Sequence, residues 1–172
     1  KVKSRTPVNP TDASVDSCPQ GTDATVDSPE FVQMPVLDTP FAQLHLIRQP
    51  EQQNEPLQAF DAADEYLLNH LAEQNLPKGS RVLVLNDSFG ALAISLVGSM
   101  HVNSSSDSFL AIKALEKNLT RHQCAFDAVT VIAASQPLIG PFDCVLVKVP
   151  KTLALLEEQL IRLQSQLAPG AQ

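Results

Sequence analysis

Four aliphatic side chains in succession, Val82-Leu83-Val84-Leu85, lead directly into Asn86-Asp87-Ser88-Phe89-Gly90-Ala91-Leu92. An unbroken Val/Leu run has no polar face to give to water, so it fits a parallel strand covered on both sides. Asn-Asp-Ser-x-Gly then supplies the turn and cap chemistry that opens a helix. A strand, sharp turn and helix in that order constrain the chain to an α/β architecture, and in such folds this turn is where phosphates and cofactors are held. A cradling loop needs two or three glycines to bring backbone N–H groups close to a ligand. Here Gly90 stands alone among Asn86, Asp87, Ser88 and Phe89. The turn has the position of a binding site and a degenerate sequence for one.

Downstream, strand and helix signals alternate. Arg81 to Leu85 reads as a strand with a helix from Phe89 to Val97, and His101 to Ser105 as a strand with a helix from Ser108 to Leu119. Strands near Ala128 to Ala134 and Cys144 to Val149 follow, then a helix from Thr152 to Leu167. Such alternation implies right-handed crossovers between parallel strands, hence an open, doubly wound, mostly parallel sheet with helices on both faces. Ahead of it, Phe41 to Arg48 alternates as an edge or accessory strand. Pro56 suits the first turn of a helix capped by Asn54 or Glu55, with Leu57, Phe60, Leu67, Leu68 and Leu71 on its apolar stripe.

Residues 1–38 are rich in Pro, Ser, Thr and Asp and lack either periodicity, which predicts a disordered arm before a domain at 39–172. Residues 1–65 carry 11 Asp/Glu against 4 Lys/Arg, whereas 66–172 carry 8 of each. A neutral domain behind an acidic arm is a poor free-standing nucleic-acid binder, because phosphate neutralisation supplies most non-specific affinity. No apolar run approaches the length of a membrane span. Cys18, Cys124 and Cys144 have neither disulfide-framework nor zinc spacing, in keeping with a reducing cytoplasm.

Phe142-Asp143-Cys144-Val145-Leu146-Val147, then Pro150, a long helix and Leu167-Ala168-Pro169-Gly170, resemble the second half of the Rossmann-like, class I methyltransferase core. Three segments look very like the N-terminal half of the bacterial large-subunit rRNA guanine-N2 methyltransferases: Leu57 to Leu68, Val82 to Leu92 and Lys148 to Glu157. The resemblance runs from about Phe41 to the end. It implies a two-domain protein whose N-terminal copy is degenerate and whose C-terminal copy carries the S-adenosylmethionine loop and an N-P-P-[FY] loop. By that resemblance the whole protein methylates a guanine amine of 23S rRNA, and this chain is a fragment ending before or at a fifth strand. Its partners would be rRNA and the catalytic domain of the same polypeptide, and the fragment itself would bind no cofactor.

At the positions matching N-P-P-[FY] stand Val149, Pro150, Lys151 and Thr152. Valine cannot accept a hydrogen bond from an exocyclic amine and threonine cannot stack on a base, so no catalytic residue is expected here. Asp107, about twenty residues beyond the first turn, occupies the position of a ribose-binding acid, but Asp107 or Ser106 also suits a helix cap. Asp61, Asp64 and Glu65 read as the solvated face of an amphipathic helix. His45, His70, His101 and His122 are scattered without metal spacing. Lys148 and Lys151 flank Pro150 at the C-terminal end of a strand, where they are candidates to touch RNA phosphate. Two readings compete with RNA holding: a structural or dimerising module without RNA contact, and the related 16S rRNA guanine-N2 methyltransferase.

Overall fold

The computed structural model describes residues 35–52 and 56–172. Most of the expected disordered arm, and Asn54 and Glu55 as helix caps, lie outside the described residues.

Four parallel strands form the central sheet: β3 (Arg81–Leu85), β4 (His101–Ser106), β5 (Val129–Ala133) and β6 (Cys144–Val147), in the spatial order β5-β4-β3-β6. A two-residue antiparallel ribbon, β1 (Leu37–Asp38) with β2 (Gln43–Leu44), precedes it. The helices are α1 (Ala62–Glu73), α2 (Ala91–Ser95), α3 (Phe109–Arg121) and α4 (Leu153–Leu163). This is the open, mostly parallel α/β sheet that the alternation of strand and helix signals predicts, and it agrees with the Rossmann-like methyltransferase core that the resemblance implies.

β3 is central, and Val82 to Leu85 are all buried. Its two faces feed different cores. Val82 and Val84 pack with α1, α2, α3 and the ribbon, through Leu68, Leu71, Leu92, Leu115, Leu119, Leu37 and Leu44. Leu83 and Leu85 join a smaller cluster of Ile132, Leu138, Phe142 and Leu163. The alternation follows from the period of two along a strand. Asp143 locks the lower end of β3 to β6: its carboxylate accepts the Arg81 amide at 2.7 Å while its own amide donates to the Arg81 carbonyl at 2.9 Å. β4 is the less expected strand, because Asn103, Ser104 and Ser105 are buried although polar. Its place between β3 and β5 satisfies its backbone on both sides.

Several boundaries move. Leu37, placed in the arm by composition, is fully buried and pairs in β1, so the folded chain begins before residue 39. Within Phe41 to Arg48 only Gln43–Leu44 is paired as strand. Pro56 does not open a helix: α1 begins at Ala62, and Leu57 is 60% exposed rather than on an apolar stripe. The reason is local. Asp61 accepts from the amides of Ala63 and Asp64 while Asp64 accepts from that of Asp61, a reciprocal capping box that fixes the first turn. α2 is shorter than Phe89 to Val97, and α4 stops at Leu163 rather than Leu167, after which Leu167 bridges to Phe142.

Candidate functional site

The C-terminal ends of β3, β4 and β6 open on a crevice of about 410 Å³. Its walls come from the turn after β3 (Asn86, Ser88, Phe89), the end of β4 with the first turn of α3 (Ser106 to Ala111), and the loop before α4 (Pro150, Lys151, Thr152). In open α/β sheets ligands bind at this position.

The turn after β3 is built around one carboxylate. Asp87 is 5% exposed; its Oδ1 accepts the amides of Phe89, Gly90 and Ala91 at 3.4, 3.0 and 3.2 Å, and its Oδ2 those of Leu92 and Ala93, both at 3.0 Å. Five backbone donors at the start of α2 are thus turned onto an anion that belongs to the chain. Asn86, at φ 64°, and Gly90, at φ 87°, supply the left-handed conformations that let the turn close around it. The Asn86 side chain is engaged as well. Its Nδ2 donates to the Lys148 carbonyl at 2.9 Å and to Gln159 Oε1 at 3.0 Å, and it accepts from Gln159 Nε2 at 2.8 Å.

Lys148 is not an open cation. Its ammonium donates to Asp64 Oδ1 at 2.8 Å and Asp61 Oδ2 at 3.0 Å, and its side chain is 17% exposed. The expectation that Lys148 is free to reach RNA phosphate is not met in this structure, since its single positive charge is paired with the carboxylates of Asp61 and Asp64. The reading of Asp61, Asp64 and Glu65 as a solvated face fails at Asp64 alone, which is 1% exposed and is the inner member of the ion-paired cap, whereas the Asp61 side chain keeps 61% of its surface in water. Burial pushes the Asp64 carboxyl above its ordinary pKa, more than the Lys148 and Asp61 hydrogen bonds draw it down. Burial also opposes ionisation of Asp61 and Lys148, but in both the partner's hydrogen bond and charge win. Asp61 therefore lies below its usual value and Lys148 above it. The ammonium thus stays charged, and Asp64 is the strained member of the group.

Lys151 is exposed at the lip of the crevice, with Thr152 beside it. Asp107 is exposed on the opposite wall and caps nothing. Ser108 is the N-cap of α3, accepting from the Ala111 amide, and Ser106 accepts the Ser108 amide. Val149, at the position of the amine acceptor, points outward and is 73% exposed. Gln49, on a neighbouring loop, has a buried Nε2 with no hydrogen-bond partner. Neither Gln49 nor the Asn86–Gln159 pair was read from the sequence, because amides carry no motif. The Asp61-x-x-Asp64 spacing is the one signal in the sequence that marks the cap of α1. Among the described residues no group of three His, Cys, Asp or Glu is placed to hold a metal ion, and no helix is long and apolar enough to cross a membrane.

The model of the RLMG N-terminal domain matches residues 34–172. The chain belongs to the RLMG N-terminal domain family. Over 139 residues it is 79% identical to a Pseudomonas fluorescens (strain Pf0-1) protein named ribosomal RNA large subunit methyltransferase G, covering 81% of this chain and 37% of that protein. A relative of the same name in Pseudomonas syringae pv. tomato is 71% identical over 138 residues, covering 80% of this chain and 37% of the relative. The chain therefore spans little more than a third of the curated relatives it matches. Among solved structures, the T. thermophilus 16S rRNA N2 G1207 methyltransferase, in complex with AdoMet and guanosine, superposes with a TM-score of 0.64 at 18% identity. The match covers 79% of this chain and 39% of that one. A precorrin 8w decarboxylase from Methanobacterium thermoautotrophicum gives 0.55 at 24% identity, covering 73% of this chain and 66% of that chain. At such identities the RLMG N-terminal domain shares a fold with these proteins, and fold alone does not carry chemistry across.

Proposed function

We propose that this RLMG N-terminal domain is the non-catalytic half of an S-adenosylmethionine-dependent 23S rRNA guanine-N2 methyltransferase, where it helps to hold rRNA and supports the catalytic half. The observation that carries the non-catalytic part is the Asp87 carboxylate. With the amides of Phe89 to Ala93 committed to it, the start of α2 has none of these to offer a cofactor, and a second anion brought there would meet the charge of Asp87. The residues of this turn do not fit an S-adenosylmethionine cradle, and Val149 to Thr152 offer neither an amine acceptor nor a stacking ring. Methyl transfer is assigned to the remainder of the polypeptide.

Support of that remainder rests on a second, apolar groove of about 540 Å³ beside β6, lined by Val145, Val147, Leu160, Ile161 and Leu167 among others. Ile161 is 72% exposed there, and this chain matches only 37% of its full-length relatives. The remainder of the polypeptide is the occupant that covers this face. RNA holding rests on Lys151, an exposed cation at the mouth of the crevice. In the full-length protein, Lys151→Glu should weaken binding of an rRNA fragment and reduce the slope of log affinity against log salt by about 1. Unchanged affinity and slope would remove the RNA-holding role and leave the domain as a structural support.

A further inference from the structure

Resting on that reading, we infer that the crevice between α3 and α4 receives a single unpaired nucleotide of the RNA, with a base N–H edge toward Asp107 and its phosphate toward Lys151. The crevice is not a collapsed remnant. At about 410 Å³ it lies within the roughly 300–1,000 Å³ range of small-molecule pockets. Its polar groups are divided by sign. On the α3 wall the exposed Asp107 carboxylate makes no hydrogen bond or ion pair with the described residues, and an ionised carboxylate is an acceptor only, so it suits a ligand that brings donors. On the α4 wall Lys151 likewise has no partner among the described residues, and Thr152 leaves the first turn of α4 without a side-chain cap, so that side suits an anion. Leu110, Ala111 and Leu155 give apolar surface between the two walls. Gln49 also lines the crevice, and its Nε2 has no hydrogen-bond partner among the described residues.

A ligand with N–H donors at one end, a flat apolar body and an anionic group at the other complements all of these at once. A nucleotide has that layout. Free phosphate would satisfy Lys151 but meet Asp107, and a purely apolar ligand would leave both charges unpaired. An unpaired position is required, because in a duplex the N–H edge is already used and the base cannot enter a pocket. The turn after β3 takes no part, since Asp87 fills it.

The test uses the full-length protein and an rRNA fragment carrying 6-thioguanosine or 4-thiouridine at unpaired positions, cross-linked by long-wave light and mapped by mass spectrometry. Cross-links are expected on peptides holding residues 106–111 and 149–155. Thr152→Trp, which fills the mouth from an exposed position, should lower their yield at least fivefold. Asp107→Asn should lower the yield for thioguanosine more than for thiouridine. Guanosine monophosphate at millimolar concentration should compete, and inorganic phosphate should not. Cross-links elsewhere within residues 35–172, insensitive to both variants, would overturn the nucleotide site while leaving the domain an RNA contact. No cross-link anywhere in this domain would overturn both, and equal competition by inorganic phosphate would reduce the crevice to an anion site.

Discussion

At the scale of residues, two carboxylates define this domain. Asp87 serves five amides, so Asp87→Ala leaves several buried donors unmet and should cost about 3 kcal/mol in urea unfolding. A loss under about 1 kcal/mol would mean that water or a neighbour replaces it. Asp64 is held by Lys148, and Lys148→Met leaves it buried without its counter-ion, which should cost of order 3 kcal/mol or somewhat less at pH 7, as Lys148 keeps 17% of its side-chain surface in water. The sign of the pH dependence follows from Asp64. Its folded-state pKa lies above the unfolded value, so its favourable contribution is complete below the unfolded pKa and is lost as pH rises through the folded one. Removing the ammonium raises that folded pKa further. The deficit of Lys148→Met relative to the parent should therefore be smallest near pH 4 and grow toward pH 7, and a deficit flat across that range would contradict the assignment. The Lys148–Asp64 pairing is not legible in the sequence: the two residues are 84 apart, and only the fold brings them together. Asn118 is a similar case. Fully buried, it exchanges hydrogen bonds with both backbone groups of Ile47 and also donates to the Phe89 carbonyl, though in the sequence it is one polar residue of a helix.

At the scale of elements, the parts that sequence predicts best are those whose environment is uniform. β3 stands out because four buried aliphatic residues in a row admit few alternatives, and the F-D opening of β6 is explained by the Asp143–Arg81 exchange. Helix starts are less legible, since several residues compete for each. Pro56 and Asp61 both suit a first turn, and Asp61 wins because its capping box satisfies donors that Pro56 merely does without. Likewise Asp107 and Ser106 both suit the cap of α3 by sequence, and Ser108 takes the place by accepting the Ala111 amide. The corrected start of α1 is open to measurement. Asp61→Ala should cost about 1 kcal/mol or slightly more, given its added contact with Lys148, whereas Pro56→Ala should change stability by less than about 0.5 kcal/mol. The reverse order of effects would restore the earlier start.

At the scale of the whole molecule, the fold keeps the layout of a cofactor-binding α/β domain while its side chains use that layout for internal contacts. The strand order, the crossovers and the crevice at the strand ends remain. The amides of the turn go to Asp87, the end of β3 to the Asn86–Gln159 pair, and the end of β6 to the Lys148 ion pairs. Sequence alone exposed the missing glycines but not what replaced their role, because a carboxylate folded back on its own turn looks the same in sequence as one aimed at a ligand. The most direct test is the stoichiometry of S-adenosylmethionine on the full-length protein, measured by titration calorimetry. One equivalent per chain is predicted, bound outside residues 35–172 and unaffected in affinity by Thr152→Trp. A second equivalent with a dissociation constant of about 10 µM or tighter, roughly 7 kcal/mol, would show that this domain holds a cofactor after all.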